Sequence, residues 1–244
     1  MRANILGLAC AAGLVSCTAA QEPFETDTLA TPAGELKMTF IGHGTLMFQF
    51  KGQTVHIDPW EKLAEYDRLP KADLILITHE HGDHLDPAAI GKIRTAQTVV
   101  IATPLAAAKL GGGTVMTNGA VRRVGEIGIE AVPAYNIVHE RAPGQPFHPR
   151  GGGNGYVLTF GDKRVYVAGD TENTPEMKAL KNIDVAFLPM NLPYTMTPAM
   201  VADAARAFRP SILYPYHYGE TDVAALRDLL KDVPGIDVRI RRLK

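Results

Sequence analysis

The chain has 244 residues, a formal net charge of −1, 46% apolar and 21% charged residues. That length holds one large domain or two small ones, with enough apolar residues for a packed core. The near-neutral balance, with no basic stripe beyond the charged tail 239–244, argues against a nucleic-acid partner.

Residues 1–20 read as an export signal. Met1-Arg2 is a short basic start, and the apolar run 5–15 is too short to cross a bilayer as a stable helix. Leu14-Val15-Ser16-Cys17 resembles a bacterial lipobox, in which the cysteine is lipidated and becomes the mature N-terminus. Ordinary cleavage after Thr18-Ala19-Ala20 is the alternative. Cys10 and Cys17 are the only cysteines, so the mature chain is expected to have no disulfide and no thiolate for a metal. Residues 21–35 are rich in Thr, Pro, Ala and acids without a period. They read as a tether that holds an exported, periplasmic and lipid-anchored domain, 36–244, off a membrane.

Within that domain, 36–42 alternates and stops at glycine, and 46–50 with 55–58 reads as a hairpin ended by Pro59. Residues 73–77 form a buried strand. A helix starts near Asp86-Pro87, an N-cap followed by proline. A strand at 98–102 and an Ala-rich helix at 104–110 follow, the latter stopped by Gly111-Gly112-Gly113. Short strands fill 115–133, with turns at Asn118-Gly119 and Gly125. Residues 136–153 are irregular, with three prolines and a glycine run; a long loop of this kind usually carries function. A second hairpin spans 156–168, followed by helices at 175–180, 197–208 and 221–231 and strands at 185–189, 212–215 and 238–240. Strands then helix–strand alternation, twice over, predict an α/β fold: two mixed sheets face to face with helices outside.

The chemistry concentrates in Thr78-His79-Glu80-His81-Gly82-Asp83-His84, directly after the run Asp73-Leu74-Ile75-Leu76-Ile77. Neutral imidazoles and carboxylates are the usual donors for zinc and similar divalent ions. A single histidine in a polar loop means little, but three histidines and an aspartate at the end of a buried strand point to a metal site. His79, His81, Asp83 and His84, with help from elsewhere, suffice for two ions.

Gly42-His43-Gly44-Thr45, Ile57-Asp58-Pro59, the cluster at 78–84, Ala168-Gly169-Asp170-Thr171 and Pro215-Tyr216-His217-Tyr218-Gly219 occur in the order found in metallo-beta-lactamase fold metallohydrolases. From residue 36 to the C-terminus the chain resembles that superfamily, in particular the branch of ascorbate-phosphate lactonases and N-acyl-phosphatidylethanolamine phospholipases D. The resemblance implies a four-layer αββα sandwich with two metals at one edge. It implies His79 and His81 on the first metal, Asp83, His84 and His217 on the second, and Asp170 bridging them. The first metal's third histidine is where the chain departs from the pattern, because Asn136 stands where relatives commonly place it. His148 is preferred for that role, with His139 as the alternative. His43 and Asp58 are expected to support ligands, and His56, alternating with Val55 and Ile57, is expected to be structural. Tyr135, Tyr194 and Tyr218 are candidates to touch substrate, or else cap the core with their hydroxyls in water.

Two ions bridged by a carboxylate and a water imply hydrolysis of an ester, lactone, amide or phosphodiester by a shared hydroxide. Asp83 and Asp170 are the catalytic carboxylates of that scheme. Zinc is the default ion, with manganese or iron(II) also suited to a site lacking thiolate. The partner expected is a small-molecule or lipid-like substrate. A true beta-lactamase is the competing reading, disfavoured by Asp170 where such enzymes generally use cysteine or other ligands. A non-catalytic metal-binding lipoprotein is the third.

Overall fold

The computed structural model describes residues 24–244. The expected export signal at 1–20 and the lipid on Cys17 lie outside the described residues. One seven-stranded sheet runs β1 (Glu25–Thr31), β2 (Gly34–Gly42), β3 (Thr45–Phe50), β4 (Gln53–Ile57), β5 (Leu74–Leu76), β6 (Val99–Ala102) and β7 (Thr114–Val115), in that spatial order. Its first four strands form an antiparallel meander. From β4 onward the pairing is parallel, with α1 (Pro87–Ile93) and α2 (Pro104–Leu110) in the crossovers. The chain then makes β8 (Val121–Val124) and β9 (Ile127–Ala134). A separate small hairpin follows, β10 (Glu140–Ala142) with β11 (Gln145–Pro146). The second sheet continues with β12 (Gly153–Phe160), β13 (Lys163–Val167), β14 (Val185–Pro189), β15 (Ile212–Tyr216) and β16 (Asp237–Val238). Its order is β16-β15-β14-β13-β12-β9-β8, parallel from β13 to β16 and antiparallel elsewhere. The helices α3 (Pro175–Lys178), α4 (Pro198–Phe208) and α5 (Val223–Leu230) belong to this half.

Strand periodicity explains the layering. On β5, Leu74 and Leu76 point into the seam between the sheets, while Ile75, and Ile77 just past the strand, face the other way. The seam joins Phe40, Phe48 and Ile57 of one sheet to Tyr156, Phe187 and Tyr214 of the other. Outside the first sheet, Ile75, Ile77 and Val100 pack on Ala89, Ile90 and Ile93 of α1 and Ala106 of α2. Outside the second, Val157, Ala186 and Leu188 pack on Val201, Ala205 and Phe208 of α4 and Leu226 and Leu230 of α5. Three apolar layers separate four structural layers, the αββα sandwich expected. Each fully buried Leu, Ile or Phe in these layers is worth about 1.5–3 kcal/mol.

The stretch 25–31 is not a tether. It is the edge strand β1, paired residue for residue with β2 from Glu25 opposite Phe40 to Thr31 opposite Gly34. Leu29 packs against the central core. Asp27 is gripped by the Arg241 guanidinium at 2.7 and 2.8 Å, by Arg239 at 3.4 Å and by the Tyr214 hydroxyl. An edge strand needs few inward apolar residues when a neighbour supplies the hydrogen bonds, so a Thr-rich composition reads as a linker but folds as a strand.

Candidate metal centre

β2, β4, β5, β13 and β15 all end at one edge of the sandwich, and the loops that follow them converge there. Asp58, just past β4, has φ 44° and is fully buried. Its Oδ1 accepts the Thr78 N–H at 2.8 Å, and its Oδ2 accepts the Thr78 hydroxyl at 2.6 Å and faces His84 Nδ1 at 2.8 Å. Burial pushes the Asp58 carboxyl up, against the pull of His84 and Thr78. With Nδ1 committed to Asp58, His84 presents Nε2 to Asp170 Oδ1 at 3.5 Å. Burial pulls His84 down, but Asp170, Asp58 and Asp83 outweigh it and raise it to about 9. This is a pocket shaped to hold positive charge.

The Thr78 hydroxyl spends its proton on Asp58, so at 3.0 Å it accepts from His79 Nδ1. His79 Nε2 is left with a lone pair and lies 3.0 Å from His81 Nδ1. Nitrogens on a shared zinc lie about 3.3 Å apart, given Zn–N bonds near 2.0–2.1 Å in a tetrahedron. Burial, then neighbouring histidines, hold His79 well below the ordinary imidazole range and His81 below it. Both are therefore neutral and able to donate. The nearest ring nitrogens of His79, His81 and His148 lie within 4.8 Å of one another.

A second group, His43, Asp83, His84 and His217, converges equally closely, as does a third made of His79, His84 and Asp170. Asp170 stands between them. Its Oδ2 is 3.3 Å from His148 Nε2 and 3.6 Å from His217 Nε2. Burial would raise its carboxyl, but His217, His84 and His148 hold it well below the usual carboxylate range. His43 Nε2 donates to Asp83 Oδ2 at 3.1 Å, and its ring lies 3.7 Å from that of His217. Burial opposes ionisation of Asp83 too, yet His217 and His43 keep it ionised. His84 Nε2, both ring nitrogens of His217 and Asp170 Oδ1 are buried with no hydrogen-bond partner. Such groups are costly to leave unmade, and a divalent ion in each cluster would satisfy His84 Nε2, Asp170 Oδ1 and one of the two His217 nitrogens. The donor set thus fits two ions.

The edge opens onto a cleft of about 410 Å³ lined by His81, Asp83, Arg141, His148, Asp170 and His217, with Phe147, Asn191 and Tyr194 on its walls. All seven expected ligands are brought together here. His139 is not: its Nδ1 sits 2.7 Å from Glu172 Oε1, away from the cluster. Asn136 is no free donor either, because its Oδ1 accepts the His148 N–H at 2.8 Å. His56 is structural, its Nε2 donating to the Pro70 carbonyl at 3.0 Å. Of the three tyrosines, Tyr194 alone lines the cleft. The Tyr135 hydroxyl donates to Glu176 and that of Tyr218 to the Arg241 carbonyl. Sequence reasoning missed Glu172 and Arg141. Arg141 lay in a loop that looked irregular, and Glu172 carried only its position two residues after Asp170 as a signal.

The profile of the family described as the beta-lactamase superfamily domain matches residues 37–217. A metal-dependent hydrolase of the UPF0173 family from Methanopyrus kandleri is 31% identical over 227 residues, covering 84% of this chain and 95% of the relative. A UPF0173 metal-dependent hydrolase from Koribacter versatilis is 34% identical over 198 residues, covering 75% of this chain and 84% of its own. The chain belongs to the metallo-beta-lactamase superfamily, and its relatives there are named as metal-dependent hydrolases. A crystal structure from Parabacteroides distasonis ATCC 8503, of a protein named provisionally as a metal-dependent hydrolase, superposes with a TM-score of 0.87 at 53% identity. It covers 91% of this chain and all of that one. The metallo hydrolase Igni18 from Ignicoccus hospitalis, 24% identical, shares the fold with a TM-score of 0.71 over 85% of this chain and 95% of its own.

Proposed function

We propose that this protein is a hydrolase that works with two divalent ions, zinc by ligand type. His79, His81 and His148 would hold one ion, Asp83, His84 and His217 the other, and Asp170 both. The observation that carries this is the pair of donor clusters sharing one carboxylate, with orphaned buried nitrogens and one orphaned carboxylate oxygen, at the floor of an open cleft. Ions held there would lower the pKa of a shared water toward neutrality and polarise a carbonyl or phosphoryl oxygen.

The chain's own groups supply the rest. Asp83, ionised and partly open to the cleft, is directed by His43 and can orient the attacking water or take its proton. Asp58 fixes His84 through Nδ1, and the Thr78 hydroxyl fixes His79 in the same way. Phe147 and Tyr194, edge to face with centroids 5.0 Å apart, wall the cleft. The substrate class is an ester, lactone, amide or phosphodiester. Purified protein reconstituted with zinc, manganese or iron(II), assayed against a panel of these with nitrocefin alongside, tests the reading. Turnover of nitrocefin alone would transfer the assignment to beta-lactam hydrolysis. Stoichiometric metal with no turnover of any member would favour the non-catalytic reading.

We also propose export and a lipid anchor on Cys17. With β1 starting at Glu25, only the seven residues 18–24 separate the anchor from the sheet. The domain would then sit within about 30 Å of the bilayer at full extension. Membrane fractionation of the native protein beside Cys17→Ser tests this; a soluble native protein beginning at Gln21 would refute it.

A further inference from the structure

His148 meets the His79–His81 pair because the loop after β9 folds back on itself. The Asn136 N–H donates to the His148 carbonyl at 2.9 Å, and the His148 N–H returns a bond to Asn136 Oδ1 at 2.8 Å. The same Oδ1 lies 2.8 Å from His148 Nδ1. The direction of the amide is not free. Its Nδ2 donates to Glu172 Oε1 at 3.0 Å and to the Tyr194 carbonyl at 2.9 Å. A flipped amide would set NH₂ against the His148 N–H and oxygen against a carboxylate. Asn136 Oδ1 is therefore the acceptor, the His148 proton is on Nδ1, and Nε2 keeps its lone pair 3.3 Å from Asp170 Oδ2.

Glu172 is fully buried, an expensive place for a carboxylate unless donors surround it. Besides the Asn136 amide it accepts the backbone N–H groups of Ile137, Val138 and His139 at 2.7–2.8 Å, and the His139 ring at 2.7 Å. It lies two residues after Asp170. One strand end thus delivers both the carboxylate shared by the clusters and the clamp on the loop that carries His148, Arg141 and Phe147.

We propose that Glu172 and Asn136 are positioning residues for His148: the buried carboxylate aims the amide, and the amide sets the tautomer and direction of the imidazole. Asn136, standing where the family resemblance leads one to expect a ligand, instead supports one. The inference rests on the two-ion reading of the site.

The test uses the whole chain, stripped of metal and reloaded with Zn²⁺ or Co²⁺. Chelator competition should resolve two affinities in the wild type. Asn136→Ala should weaken one of them by about 10–100-fold and leave the other near wild type. Isosteric Glu172→Gln should act on the same site in the same direction. His139→Ala, which removes one ring donor from Glu172 but leaves Asn136 in place, should retain both affinities. Long-range ¹H–¹⁵N spectra of the metal-free protein should show His148 as the single Nδ1–H tautomer in the wild type and a mixture in Asn136→Ala, a change that lost stability alone would not produce. Melting of each metal-free variant checks its fold, and Glu172→Gln decides if Asn136→Ala does not fold. Wild-type affinity at both sites in the folded variants, equal weakening of both sites, or an unchanged tautomer would overturn the relay while leaving the two-ion reading intact. A wild type that takes up fewer than two ions would overturn both.

Discussion

Gly44 separates β2 from β3 with no room for a side chain. A Cβ built on it lies 2.8 Å from His84 Cε1, 3.2 Å from His84 Nδ1 and 3.5 Å from His217 Cδ2. Ordinary carbon contacts are about 3.5–4.0 Å, so in Gly44→Ala the His84 ring must retreat by about 0.7–1 Å. The ring is not a loose end. Asp58 holds Nδ1 at 2.8 Å, and a retreat of that size stretches the bond beyond hydrogen-bonding range. A bond to a charged partner is worth about 1.5–3 kcal/mol. Metal-ligand distances tolerate only about 0.2 Å, so the displaced Nε2 no longer donates well. At 1.36 kcal/mol per decade, loss of the Asp58 bond alone amounts to about 10–100-fold in affinity for the His84 ion. Chelator competition on Gly44→Ala beside wild type measures this, with Gly91→Ala in α1 as a control where a Cβ meets nothing within 4 Å. Two ions held at wild-type affinity in Gly44→Ala would refute the claim that His84 is a rigid ligand.

Asp170→Ala should lose at least one equivalent of metal by elemental analysis and abolish hydrolysis; unchanged metal content and rate would sink the shared-carboxylate assignment. His148→Ala should weaken one ion by about 10–100-fold or more and cut turnover sharply, whereas His139→Ala should do little; the opposite ranking would move the role to His139. Removing metal should lower the melting temperature, because ions that bind only the folded chain add about 2.7 kcal/mol when present at 100 times Kd; identical melting with and without a chelator would count against resident ions. Burial holds His56 down at about 4, only partly relieved by its bond to Pro70, so its contribution is complete above the unfolded value of about 6.5 and is lost as pH falls from there toward 4. That amounts to about 2 kcal/mol at pH 5, and in denaturant titrations His56→Gln, which has no such proton to take up, should lack that acid component; parallel pH profiles would refute it.

Local chemistry was legible wherever it is written in consecutive residues. Four of the five helices open with a Thr or Asp cap followed by proline, at Asp86, Thr103, Thr174 and Thr197, and α2 stops at Gly111 in the left-handed region. Those signals cost one residue each to read. The cluster at 79–84 was equally plain. β1 was not, because its evidence lies in β2 and in Arg241, more than 200 residues away along the chain. The choice between His148, His139 and Asn136 could not be made locally either. Three polar residues in one loop differ only in where the loop's fold sends them, and the loop is held there by hydrogen bonds to Glu172, on a different strand end.

That dependence on distant partners is general to this edge. His43, Asp58 and His217 make up half of the non-glycine residues with positive φ among the described residues. Each turns the chain sharply at a strand end, a conformation that costs of order 1–3 kcal/mol where nothing repays it. Cross-links between the two sheets repay it here. The His217 N–H donates to the His43 carbonyl at 3.0 Å, the Asn154 N–H to the Thr78 carbonyl at 2.9 Å and the Tyr156 hydroxyl to the Ile77 carbonyl at 2.8 Å. One sheet brings His43, Asp58 and the cluster at 79–84; the other brings His148, Asp170 and His217. Neither half has a complete ligand set. The donors exist as a site only once the sheets are stitched at this edge, so the same bonds that hold the sandwich closed also set the distances between the donor groups.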